Sequence, residues 1–324
     1  VSVLSNLFKR ADSTSAPITC RPAESEEFHS ALRLILGTGG RPADDVVVVD
    51  FLRFALQRKV GPQDIWVAAA DRRILWAVFP MVNPGRSMLL LAPSYIAPSA
   101  RPAAAALIDA VCAAHQRKIH LAQALIDTAD PSIPTLYHSC HFKTMAELIY
   151  LQANLHRPMP LPSPPEHFAW QTYTPALHRQ FSETILESYR DSLDCPSLNG
   201  MRDIEDVIAG HKAAGVHDPS LWFMLMENGH SRGVLLLSPS PQSDAMELVY
   251  LGLCPSARGR GLSDLMMRQA LAMTLQRKVA RLSLAVDSRN TPAIKLYHRN
   301  GLQRICSKLA LMRDLRTEKH PAIR

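Results

Sequence analysis

Residues Glu247–Ser263 read ELVYLGLCPSARGRGLS. An apolar stretch with the look of a strand runs to a break at Cys254-Pro255. A turn rich in glycine and arginine follows, and then a helix expected to start near Leu262. Gly259 and Gly261 let the backbone turn tightly, with no Cβ to shield the amides. The first N–H groups of the helix have no intrahelical acceptor, and the helix dipole is positive at this end. Arg258 and Arg260 add charge that can pair with phosphate. The amides from Gly259 through Arg260, Gly261, Leu262 and Ser263 thus form a cradle whose natural occupant is a diphosphate. No Lys-Ser/Thr pair follows, unlike a triphosphate P-loop, and Asp264 stands where a GxGxxG fingerprint needs its last glycine.

Glycine-rich turns also serve plain strand-to-helix connections, so the downstream segment decides the reading. Arg281–Asp287 (RLSLAVD) alternates Leu282, Leu284 and Val286 on one face and reads as a strand. In the stretch from Asn290 to Leu302, Thr291 is expected as the N-cap, Pro292 as the first helical residue and Gly301 as the C-terminal stop. At this point the sequence resembles the GNAT superfamily of N-acetyltransferases. Arg258-x-x-Gly261-x-Ser263 is similar to that family's R/Q-x-x-G-x-G/A pyrophosphate signature, with Ser263 in place of the final Gly or Ala. Asn290-x-x-Ala293-x-x-Leu296-Tyr297 resembles its second motif. The resemblance covers roughly residues 168–313. It implies a mixed sheet flanked by helices, acetyl-CoA as co-substrate, an amine as acceptor and no metal.

Composition sets the wider frame. A chain of 324 residues exceeds a typical single core, so two domains are expected. With 47% hydrophobic and 20% charged residues it belongs with ordinary globular proteins. Lys and Arg outnumber Asp and Glu by 36 to 29, a net charge of +7. The basic residues are scattered and aromatics make up only 6%, which does not favour nucleic acid as a partner. A polyanionic small ligand such as coenzyme A accounts for the same excess. The six cysteines form no CxxC pair and read as reduced thiols, as in a cytoplasmic protein. His138, Cys140 and His141 lack a second ligand pair at metal-binding spacing. No apolar run approaches the ~18 residues of a membrane span. Residues 1–17 hold too short an apolar core for a secretory signal and are expected to form a loose arm.

The chain also repeats itself. Residues 156–167, HRPMPLPSPPEH, carry five prolines and read as a stiff linker between domains at 18–155 and 168–324. Ser99-Ala100-Arg101 recurs as Ser256-Ala257-Arg258, an offset of 157. Gln116-Arg117-Lys118 recurs as Gln276-Arg277-Lys278, Asp127 as Asp287, and Leu136-Tyr137-His138 as Leu296-Tyr297-His298, all at 160. The three-residue change is expected inside the intervening helix. The fold class is therefore α/β (α+β mixed sheet), two tandem GNAT-like domains in sequence. On the first offset Gly259 and Gly261 correspond to Pro102 and Ala104, so the first copy is expected to be degenerate, with a structural or substrate-shaping role.

The resemblance also implies roles for single residues. Transfer from a thioester to an amine needs a neutral amine, a nearby carbonyl, an oxyanion donor and a proton for the leaving thiolate. Tyr297 is the expected proton donor, and Glu247, at the start of the central strand, the expected general base. Asn290 is expected to position the coenzyme. The backbone of Leu251, Gly252 and Leu253 is expected to pair with the pantetheine arm, with Pro255 splaying the strand from its neighbour. Tyr250 is a second candidate on that strand, for the base or for contact with the substrate, and is expected on the face opposite Glu247 if the strand is regular. Asp191 and Asp194, in the loop Tyr189–Gly200, are candidates for holding a cationic amine. Cys195 has no adjacent base, so direct transfer is expected rather than an acyl-enzyme. The alternative is a non-catalytic module that senses acyl-coenzyme A or binds a protein.

Overall fold

The structure, a computed structural model, describes residues 17–57, 61–71, 73–127, 130–240 and 244–316. The expected N-terminal arm lies outside these residues except for Pro17. In the first half the elements are β1 (Thr19–Pro22), α1 (Phe28–Ile35), α2 (Asp45–Gln57), β2 (Trp66–Ala70), β3 (Arg73–Asn83), β4 (Ser87–Leu91), α3 (Arg101–His115), β5 (Leu121–Ile126), α4 (Ser132–Ser139) and β6 (Lys143–Asn154). The second half repeats that order. Its elements are β7 (Phe168–Thr172), α5 (His178–Tyr189), α6 (Ile204–Ala213), β8 (Trp222–Glu227), β9 (His230–Pro239), β10 (Met246–Leu253), α7 (Leu262–Gln276), β11 (Arg281–Asp287), α8 (Thr291–Arg299) and β12 (Gln303–Asp314).

Local chemistry explains the joints. Asn228 and Gly229 both take positive φ, 50° and 80°, and close the β8–β9 hairpin. The cap of α8 falls one residue earlier than expected. Asn290, not Thr291, is the N-cap, its side chain accepting the Ala293 amide, and Pro292 becomes the second helical residue. An Asn amide oxygen caps as well as a hydroxyl does, and proline fits any position in the first turn where an amide lacks a partner. Gly301, at φ 88°, ends the helix.

All twelve strands join one sheet, in the order β1-β2-β3-β4-β5-β12-β6-β11-β10-β9-β8-β7. Two separately packed sheets would have been the simpler outcome of a duplication. Instead the halves exchange their last strands: β12 of the second half lies between β5 and β6, and β6 of the first half lies between β12 and β11. At 12 residues each, β6 and β12 are about twice the length of β5 and β11, so each can serve two neighbours. The exchange leaves neither half with an open edge at its centre. It is symmetric to the residue. Leu148 pairs with Lys308, its own counterpart at the offset of 160, and Arg281↔Asn154 is matched by Leu121↔Asp314.

Side-chain alternation divides the core by face. Ala68 and Val78 pack with α3 and α4, while their neighbours Val67, Ala77 and Phe79 pack with α1 and α2. In the second half Leu235 and Leu237 pack with α7 and α8, and Val234 and Leu236 with α5 and α6. Between the α1/α2 and α5/α6 layers, no helix among the described residues packs on the middle of that sheet face. No helix among the described residues is long and apolar enough to cross a membrane.

Candidate active site

The strands β10 and β11 are parallel partners at Met246↔Leu282 and Glu247↔Ser283 and then part, while β10 stays paired to β9 as far as Leu253. The parting starts well before Pro255, so the proline is not its cause. A bulge between Leu248 and Tyr250 is where the register breaks, and bulges bend a strand away from its neighbour. The bulge also corrects the expected placement of Tyr250. Glu247 pairs with Ser238 and Tyr250 with Leu236, two residues along β9, so the extra residue brings both to the same face. The opened gap is a cleft of about 390 Å³ between β10, β11, α8 and the loop Ser188–Asp194.

At one end of the cleft stand Arg258, Gly259 and Ser263. Gly259 and Gly261 sit at φ 74° and 75°, a region costly for residues with a side chain, and a Cβ built on either meets nothing within 4 Å. Among the described residues, no backbone acceptor takes the amides of Gly259, Arg260 or Gly261. With the first amides of α7 behind them, these groups can bind an anion. The arginine side chains serve otherwise than expected. Arg258 donates to the carbonyls of Ser188 (3.0 Å), Arg190 (2.7 Å), Asp191 (3.1 Å) and Leu253 (3.1 Å), tying the end of α5 to β10. Arg260 pairs with Glu227 and lies over the Phe168 ring. Four carbonyls at hydrogen-bonding distance leave a guanidinium little to offer a phosphate, so the cradle rests on main-chain amides.

The first half lacks this turn for a reason other than Pro102. Pro98–Ala100 and Pro255–Ala257 form matching short 3-10 turns, and α3 and α7 are both 15 residues long. In the first half the helix follows at once, whereas in the second Arg258, Gly259, Arg260 and the N-cap Gly261 intervene. The rise in offset from 157 to 160 is therefore an insertion before the helix, not within it. Gly259 has no counterpart at all.

Tyr297 reaches the cleft from α8, 7% exposed, and its hydroxyl meets no hydrogen-bond partner among the described residues. Burial raises its pKa well above the usual 10. Beside it, Asn290 stands close enough to Asp194 to help lower its pKa. Asp194 in turn accepts the Asp287 amide at 3.0 Å, and burial pushes its pKa up. Fully buried Asp287 accepts the Cys195 amide (3.1 Å) and the Arg289 amide and guanidinium (2.9 and 2.7 Å). Burial alone would raise the Asp287 pKa, but these donors bring it below the ordinary value. The two side chains therefore lock the loop around Asp194 and Cys195 onto the end of β11.

Residues 176–302 match the Acetyltransferase (GNAT) family. The C-terminal half is a GNAT acetyltransferase domain. An 87-residue stretch is 36% identical to a mycothiol acetyltransferase of Beutenbergia cavernae, a match that spans 26% of this chain and 29% of that relative's length. A GCN5-related N-acetyltransferase from Sphaerobacter thermophilus superposes over 94% of this chain and 98% of its own, at 19% identity and a TM-score of 0.63. A tandem GNAT protein from the clavulanic acid biosynthesis pathway covers 94% and 100%, at 14% identity and a TM-score of 0.53. At these identities the likeness to solved structures is one of fold, and it extends over both halves.

Within the GNAT domain the expected residues divide into two groups. Leu251, Gly252, Leu253, Arg258, Gly259, Ser263, Asn290, Tyr297, Tyr250, Asp191 and Asp194 all border the cleft. Arg260, Gly261, Leu262 and Glu247 do not; Glu247 lies on β10 at the last pair before the strands part. The Tyr250 hydroxyl hydrogen-bonds Ser188 at 2.8 Å, and Gly252 is small for this reason: a Cβ there would stand 2.4 Å from that hydroxyl. His211 stacks on Tyr250, ring centroids 5.6 Å apart, and burial with nearby Arg202 pushes its pKa down to about 4. No motif in the sequence singled out His211, Ser188 or Asp287, although Asp287 does recur in the repeat. Cys195 has its thiol pKa pushed up to about 12 by burial and by Asp194 and Asp287, which makes it a poor nucleophile.

Proposed function

We propose that this chain is an acetyl-CoA-dependent N-acetyltransferase that moves the acetyl group directly to an amine. The observation that carries the reading is the parted β10–β11 cleft, with amide donors at one end and Tyr297 in its wall. The pantetheine arm pairs along the open edge of Leu251–Leu253, and the diphosphate rests on the amides from Gly259 to Ser263, Leu262 included. Asn290 fixes the α8 wall. The amine nitrogen attacks the thioester carbonyl, the C–S bond breaks, and Tyr297 hands its proton to the departing thiolate. Glu247 receives the proton that the amine loses, through water, since it stands outside the cleft. Asp191 and Asp194 belong to the acceptor side, Asp194 by holding the loop.

Calorimetry with acetyl-CoA tests the donor site. One site per chain is expected, because the first half lacks the inserted turn. Gly261→Val, which forces a β-branched residue into φ 75°, should weaken binding at least tenfold. Two comparable sites, or undiminished binding by the variant, would overturn the placement. Thiol release with a panel of amines separates an enzyme from an acyl-coenzyme A sensor, which would bind but not turn over.

A further inference from the structure

Strand exchange carries a residue of the first half up to the second half's cleft. On the middle of the face that carries α1/α2 and α5/α6, where no described helix packs, Ser283 lies between Glu247 and Gln152, and Ala285 is paired with Tyr150 of β6. Cross-strand partners share a face, so Glu247 and Tyr150 point the same way from strands on either side of β11. Ala285 borders the cleft and is exposed, with no side chain beyond Cβ. Tyr150, on a strand whose backbone runs roughly 4.8 Å from that of β11, therefore stands beside the place where β10 and β11 part. Tyr150 is half-buried, and its hydroxyl has no hydrogen-bond partner among the described residues. Burial, with Cys306 and Glu247 nearby, raises its pKa, so it keeps its proton at neutral pH.

The symmetry of the sheet supplies a control. Met88↔Ala122 is the counterpart of Met246↔Leu282, which sets Leu89 where Glu247 stands. By the offset of 160, Leu125 replaces Ala285 and Ala310 replaces Tyr150. Leu89 packs against the α1/α2 core, and Leu125 is 40% exposed. The polar arrangement thus occurs beside the cleft that has the cradle, while Leu89, Leu125 and Ala310 make its counterpart apolar.

We infer that Tyr150 of the first half binds the acceptor of the second half's reaction, a primary amine drawn in by Glu247. The phenol oxygen accepts a hydrogen bond from the amine and holds its lone pair toward the cleft. Glu247 supplies the negative charge that favours a cationic substrate over a neutral one. This rests on the acetyltransferase reading above. The test uses the full chain and a panel of primary amines (ethanolamine, putrescine, glucosamine and lysine), taking the one the wild type acetylates fastest. Tyr150→Phe should raise KM for that amine about tenfold, with acetyl-CoA affinity and Tm unchanged. Tyr150→Ala should do more. An unchanged amine KM would overturn the inference while leaving the acetyltransferase reading intact, and so would an equal loss of acetyl-CoA affinity. Tight acetyl-CoA binding with no turnover of any amine would defeat both.

Discussion

Tyr297 and Tyr137 are the same residue of the repeat put to different use. Tyr137 is 1% exposed and packs edge-on against Phe142, with ring centroids 5.1 Å apart, inside the first half's core. Tyr297 borders the cleft instead. Tyr297→Phe removes one hydroxyl and keeps the ring, so the expected result is a kcat lower by ~10²–10⁴ with acetyl-CoA affinity retained. Tyr137→Phe should leave turnover nearly intact. Equal losses in steady-state assays would assign Tyr297 a packing role. The pH profile is a second check. Because burial raises the Tyr297 pKa, its proton stays on beyond pH 10, and the wild-type rate should not fall through ionisation of this phenol below that pH. The position of Tyr297 and Asn290 beside the cleft was legible because the motif constrains both their type and their spacing. Asp287 and His211 were not, since a buried carboxylate and a stacked imidazole acquire meaning only from partners distant in sequence.

Between β10 and α7 the sequence and the structure part company twice. The alternation in ELVYLGL shows a strand but no bulge, because a bulge is a matter of pairing with β9 rather than of composition. The insertion was visible as a shift in repeat offset, yet the run of residues alone did not locate it. Two helices of equal length, each preceded by its own 3-10 turn, do. The first half also shows that such a turn can feed a 15-residue helix directly. Excising Arg258–Arg260 should therefore leave a folded protein, with native far-UV circular dichroism, that no longer binds acetyl-CoA in calorimetry. Arg258→Met separates the two roles of this segment. It frees the Ser188–Asp191 loop but keeps the amide cradle, so it should lower turnover more than acetyl-CoA affinity. Full acetyl-CoA binding by the excised protein would move the diphosphate elsewhere.

At the scale of the whole molecule, the tandem repeat and the mixed α/β class could be read from the sequence, and the joining of the sheets could not. Equivalent strands hold equivalent places in the repeat, and nothing in the residues of β6 or β12 says which copy of the neighbouring strand it will choose. Only their length, 12 residues each, hints at service to two partners. The linker at 156–167 is exposed over most of its length and joins strands that are already held in one sheet. Limited proteolysis should cut there before either core. The nicked protein should still elute as one particle of the intact mass under native conditions and separate only in denaturant. Fragments that part on native size exclusion would show that the exchanged strands contribute little.

The pairing of Leu148 with its own image, Lys308, is the signature of a two-fold axis, the arrangement by which identical subunits close on one another. The fused chain is in effect a homodimer whose subunits have been given separate histories. On the proposed function, one copy keeps the chemistry. The other lacks the inserted turn, yet it still supplies β6 to the sheet between β12 and β11. Want of the cradle therefore does not make the first half dispensable, and a change in β6 is felt beside the second half's cleft.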